Sequence, residues 1–69
     1  GRRWIVDYKT GRPDPGSTDS EFLEQRRDHY REQLQSYGHM LSQLEPGMPI
    51  ELALYYPGLP ALDHWPYQP

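Results

Sequence analysis

The stretch Trp4-Ile5-Val6-Asp7-Tyr8-Lys9-Thr10 decides how the 69-residue chain is read. Its β-branched and aromatic residues suit a pleated, half-buried surface, so the spacing predicts a short strand over about residues 4–9. Side chains alternate between the faces of a strand. Trp4, Val6 and Tyr8 therefore share one face, and Ile5, Asp7 and Lys9 the other. A carboxylate and an ammonium stand side by side where the strand gives way to Gly11. Ligands of α/β sheets gather at such carboxyl ends of strands.

Outward from that strand, Gly11-Arg12-Pro13-Asp14-Pro15-Gly16-Ser17 reads as a loop. Thr18-Asp19-Ser20-Glu21 follows as a capping box, with Thr18 as N-cap and Glu21 reaching back. A long helix is expected over about 19–45. Tyr30, Leu34, Tyr37, Leu41 and Leu44 form its apolar stripe at spacings of 4, 3, 4 and 3, broadened by Phe22, Leu23 and Met40. Gln25, Arg26, Asp28, Glu32, Gln35 and Ser42 fall on the opposite, solvated face. Gly38 lowers helix propensity by roughly 1 kcal/mol relative to Ala, which implies a bend or a close approach there. Pro46-Gly47 ends the helix.

Ile50-Glu51-Leu52-Ala53-Leu54-Tyr55-Tyr56 predicts a second strand, with Ile50, Leu52, Leu54 and Tyr56 on one face. Strand, helix and strand make a βαβ unit, so the two strands are expected to be parallel with a right-handed crossover. Residues 57–69, with Pro57, Pro60, Pro66 and Pro69 among Trp65 and Tyr67, read as an irregular, aromatic-rich tail. One such unit leaves a sheet face uncovered, whereas parallel sheets normally have both faces buried. The unit is thus expected to belong to a larger fold or to self-associate.

Composition narrows the functional classes. A chain this short buries only about 60% of its unfolded surface, and a mean hydropathy of -0.99 implies a thin core. The absence of cysteine excludes disulfides and thiolate-bound zinc or iron–sulfur clusters within the chain. No apolar run approaches the 18 residues of a membrane span, and Gly1-Arg2-Arg3 is followed by too short an apolar stretch for a signal peptide. A cytoplasmic location is the expectation. Residues 1–31 hold seven basic and six acidic side chains, net +1, and residues 32–69 four acids and no base, net -4. Such a surface is not that of a protein that grips DNA unaided. His29, His39 and His64 lack metal-ligand spacing, since a ten-residue separation turns roughly 280° beyond whole turns of a helix.

Asp7-Tyr8-Lys9 on its strand, followed by Tyr30-x-x-Gln33-Leu34-x-x-Tyr37 on a helix and then an apolar strand, resembles the PD-(D/E)xK nuclease superfamily. Within it, residues 2–56 are similar to the C-terminal part of the nuclease domain of RecB/AddA-type helicase–nucleases. The resemblance implies a restriction-endonuclease-like fold and a Mg²⁺-dependent DNA exonuclease domain. The parent would be an ATP-dependent helicase–nuclease of double-strand-break repair and recombination. Asp7 and the main-chain carbonyl of Tyr8 would ligate Mg²⁺. Lys9 would orient the attacking water or stabilise charge on the phosphate. Gln33 and Tyr37 would support the site and contact DNA. The implied partners are DNA, the rest of the parent chain and a second subunit; ATP would bind only in the helicase part. The family's core runs helix, three strands, helix, strand, and takes a further acidic ligand from a strand before Asp7. Asp14 and Asp19 do not match that position, so the resemblance implies an inactive half-site. The alternative is a non-catalytic structural or interaction module that keeps the scaffold.

Overall fold

The computed structural model describes residues Gly1–Pro69. Their order is β1 (Arg3–Tyr8), α1 (Asp19–Leu44), β2 (Ile50–Tyr56) and β3 (Ala61–Pro66). The three strands form one mixed sheet in the order β1-β2-β3. β1 and β2 are parallel, with Arg3 opposite Ile50 and Asp7 opposite Leu54, as the βαβ reading expects. The expected irregular tail is corrected: residues 61–66 pair antiparallel with β2, Leu54 opposite Asp63 and Leu52 opposite Trp65.

The reason lies in how β3 distributes its side chains. Ala61, Asp63 and Trp65 face α1, while Leu62 and His64 face away. The inward charge is tolerated because Arg27 on α1 meets it: Arg27 Nε donates to Asp63 Oδ2 at 3.0 Å, and a guanidinium nitrogen donates to the other oxygen. Asp63 in turn holds the Arg27 guanidinium above its ordinary pKa, and Trp65 lies beneath that guanidinium at 5.4 Å. A buried carboxylate without such a partner would cost several kcal/mol.

α1 starts where expected, at Thr18. The Thr18 hydroxyl accepts from the Glu21 N–H at 3.1 Å and donates to the Glu21 carboxylate at 3.0 Å. The carboxylate thus takes the hydroxyl rather than the cap's backbone N–H. At the far end the Glu45 N–H closes on Leu41 O at 2.9 Å, and Gly47 turns the chain with φ +82°. Tyr56 against Phe22 and Glu45 against Arg3 show that α1 runs back over the sheet, from the carboxyl ends of β1 and β2 to their amino ends.

Phe22, Leu34, Ile50, Leu52, Leu54 and Tyr56 make the core, with Ile5, Tyr30, Leu41 and Trp65 packed around it. The apolar stripe of α1 is shorter than expected: Tyr37, Met40 and Leu44 are exposed. Twenty-six helical residues span about 39 Å, whereas the seven residues of β2 span about 23 Å. Only Leu44 stands in the final turn; Gly38 and Leu41 still pack, and Tyr37 and Met40 beside them are exposed because they sit off the covered face of the helix.

Gly38 realises the close approach. A Cβ placed there would stand 2.5 Å from a ring carbon of Tyr67. On the other side of the sheet, Trp4, Val6, Tyr8 and Leu62 are exposed, and no element covers them. Glu51 is buried on this face between Arg2 and His64, 2.9 Å and 2.8 Å away.

Gly38→Ala is expected to destabilise the chain by about 1–2 kcal/mol, although Ala is the better helix former by roughly 1 kcal/mol. In a Tyr67→Ala background the sign should reverse, to a gain of about 1 kcal/mol. Urea unfolding of the four chains checks both.

Candidate functional site

β1 is an edge strand, and the phase of its ladder positions the groups at its carboxyl end. Arg3 N–H bonds Pro49 O and Lys9 N–H bonds Tyr55 O, both at 2.9 Å. In a parallel pair every second residue addresses the same neighbour. Asp7 and Lys9 therefore turn their backbone towards β2, and Tyr8 turns its N–H and C=O to the open edge. The Tyr8 side chain points to the uncovered face, where its ring meets Tyr55 edge-on at 5.3 Å.

Asp7 and Lys9 both face α1. Lys9 Nζ lies 2.9 Å from Asp7 Oδ2, and both side chains are about a quarter exposed or less. The ammonium also lies over the ring of Tyr30, 4.1 Å from its centroid. An aromatic face attracts a cation through its quadrupole, so Lys9 is held between a carboxylate and a π surface. Tyr30 itself is braced edge-on by His29, with 4.6 Å between ring centroids.

The register places Tyr56 beside Lys9, on the same face of the sheet. Its ring packs on Phe22, its side chain is fully buried, and its hydroxyl has no hydrogen-bond partner. Burial pushes the phenol up to about 12, while the charge of nearby Arg26 opposes the rise.

Gln33 and Tyr37 are brought together as a pair of their own: Gln33 Nε2 donates to the Tyr37 hydroxyl at 3.3 Å, on an exposed part of α1. No hydrogen bond or ion pair joins them to Asp7 or Lys9. Tyr37 lies about 10 Å further along α1 than Tyr30, towards the amino ends of the strands. Sequence reasoning placed Tyr56 as a core residue and Tyr30 in the apolar stripe and the helix motif, and missed their place around Lys9, because the register that sets Tyr56 beside Lys9 is fixed only by the sheet.

The donors fit a hard cation in kind but not in number. Asp7 offers a carboxylate and Tyr8 a carbonyl free of the ladder, both oxygen ligands of the type Mg²⁺ takes. No three Asp, Glu, His or Cys side chains stand close enough to hold a metal together. The Lys9 ammonium also shares the Asp7 carboxylate.

Tyr56→Phe should raise stability near pH 8 by about 1 kcal/mol, because a buried hydroxyl without a partner is removed. The folded chain holds the Tyr56 proton up to about pH 12, above the ordinary phenol value of 10.0. Stability from this group is therefore complete below pH 10 and falls away as pH rises towards 12, by of order 2 kcal/mol. Urea unfolding between pH 8 and 12 should show less of that alkaline loss in the Phe variant. No family model matches the chain, and no curated protein or solved structure matches it.

Proposed function

We propose that the chain is the C-terminal part of a Mg²⁺-dependent DNA-cleaving domain of the PD-(D/E)xK kind, within an ATP-dependent helicase–nuclease that acts on double-strand breaks. One observation carries the reading. Asp7 and Lys9 lie 2.9 Å apart at the carboxyl end of a parallel strand, with the lysine seated on Tyr30. Asp7 and the Tyr8 carbonyl are the groups that would hold the metal. When bound, Mg²⁺ polarises a phosphoryl oxygen and lowers the pKa of coordinated water.

The chain's own residues do the positioning. Tyr30 fixes the height of the Lys9 ammonium above the helix, and Asp7 fixes its direction along the strand. A compact ammonium so placed suits a phosphate oxygen, and its partial burial strengthens the attraction relative to open water. Gln33 and Tyr37, exposed and hydrogen-bonded to each other, present an amide and a phenol to a nucleic-acid strand lying along α1. In this reading DNA and the remainder of the parent enzyme are the partners.

A second reading, a non-catalytic module on the same scaffold, draws on the mutual neutralisation of Asp7 and Lys9 and the lack of a third ligand. Mutagenesis separates the two. In the complete enzyme, Lys9→Ala should lower DNA cleavage at least about 100-fold, the scale of losing one preorganised stabilising group, and leave ATP-driven unwinding intact. Undiminished cleavage would remove Lys9 from the mechanism and favour the scaffold reading. The chain by itself is expected not to cut linear DNA in millimolar Mg²⁺, because one carboxylate and one carbonyl make a weak site.

A further inference from the structure

Seven side chains of the protein are permanently cationic. Five of them face an acid: Arg2 with Glu51, Arg3 with Glu45, Lys9 with Asp7, Arg27 with Asp63 and Arg31 with Asp28. Arg12 and Arg26 do not. These two arginines, one from the loop after β1 and one from the second turn of α1, line the same cleft of about 220 Å³. Gln25, His29, Phe22 and Asp14 complete its wall.

Both arginines are held by packing rather than by charge. The Arg26 guanidinium lies over the Phe22 ring at 5.2 Å. Gly11, at φ +144°, lets the loop pass close beside it: a Cβ there would stand 3.6 Å from Arg26 Nη2 and 3.3 Å from Phe22 Cζ. The Arg12 stem runs against Gly58 in the turn between β2 and β3. Hydrophobic and backbone contacts thus fix two guanidinium groups while leaving their donors unspent. Asp14 is the sole acid in the wall and is exposed, so the cleft carries a net charge of +1 with His29 neutral. A phosphodiester carries a single negative charge.

The cleft adjoins the Asp7–Lys9 site through two side chains. His29 lines the cleft and packs on Tyr30, and the face of Tyr30 carries Lys9. From this placement we propose that Arg12 and Arg26 form a phosphate subsite for a DNA strand, taking a phosphodiester that neighbours the one facing Lys9. The assignment of that neighbouring phosphate rests on the nuclease reading. The subsite would let a chain of net charge -3 engage DNA through two arginines free of ion pairs at one spot, instead of through a basic surface.

The test is binding without chemistry. Affinity for a fluorescein-labelled oligothymidylate is read by anisotropy in EDTA across a salt series, for the unaltered chain, Arg12→Gln, Arg26→Gln and the double variant. Arg31→Gln, which removes an ion-paired cation elsewhere on α1, is the control. The double variant should bind about tenfold more weakly, and its salt slope should fall by about 1.4, or 0.7 for each lost contact to a single strand. Arg31→Gln should match the unaltered chain. Because Arg26→Gln also loses its stacking on Phe22, Arg12→Gln alone, from an exposed loop, must show part of the same loss. Unchanged affinity and slope in the double variant overturn the subsite. So does competition by inorganic phosphate as strong, per phosphate, as that by unlabelled oligothymidylate, since the cleft would then serve a free anion. Undiminished cleavage by a Lys9→Ala enzyme would overturn the nuclease reading of this site and leave this binding result as it stands.

Discussion

The structure depends on the burial of β2. Every residue of this strand except Tyr55 is buried, and it is hydrogen-bonded to a neighbour on each side. In a chain of this size no other segment is so enclosed. Ile50, Leu52, Leu54 and Tyr56 are four of the six core residues, and full burial of each such side chain contributes about 1.5–3 kcal/mol. β1 and β3 are edges hung on β2, and the carboxyl end of β2 sets the level at which Lys9, Tyr56 and the two flanking loops meet.

The same constraint explains which polar groups are tolerated inside. Asp63 and Glu51 are both buried, and each is met by a cation or imidazole from another element: Arg27 for Asp63, Arg2 and His64 for Glu51. These pairs tie β3 to α1 and to β2, and the residue before β1 to β2. Their worth is specific registration more than net stability, since buried ion pairs often do no better than apolar residues of equal size. Arg3 and Glu45 do the same at the surface, where Arg3 draws the Glu45 carboxyl below its ordinary pKa.

Much of this arrangement was legible in the sequence. Thr18, Glu21 and Pro46-Gly47 bracket the helix because capping and helix termination are local chemistry. The parallel pairing follows because two strands joined by one long helix have few other ways to meet. Asp7 and Lys9 share a face because strand alternation requires it. β3 escaped notice because Ala61-Leu62-Asp63-His64-Trp65-Pro66 turns an acid inward and a leucine outward, an inversion that makes sense only once Arg27 is opposite. Arg26 was assigned to solvent on helical periodicity, yet it sits against Phe22 one turn before it and against the loop at Gly11. The exposure of Tyr37, Met40 and Leu44 was likewise invisible, because periodicity reports which side of a helix is apolar and not how wide or long the sheet beneath it is.

The parallel register of β1 has a kinetic consequence. β2 and β3 are joined by a turn of four residues and can zip locally, and α1 can form on its own cap. β1 must find β2 across 47 positions of chain, since Arg3 lies opposite Ile50. Closing so long a loop costs entropy before any contact repays it. Loop closure therefore disfavours early docking of β1, the edge strand that holds Asp7 and Tyr8 and leads directly into Lys9. The Asp7–Lys9–Tyr30 arrangement needs β1 docked on β2, so it persists as long as that edge strand stays paired. Anything that pairs with the open side of β1 would lengthen that persistence without touching the side chains of Asp7 or Lys9.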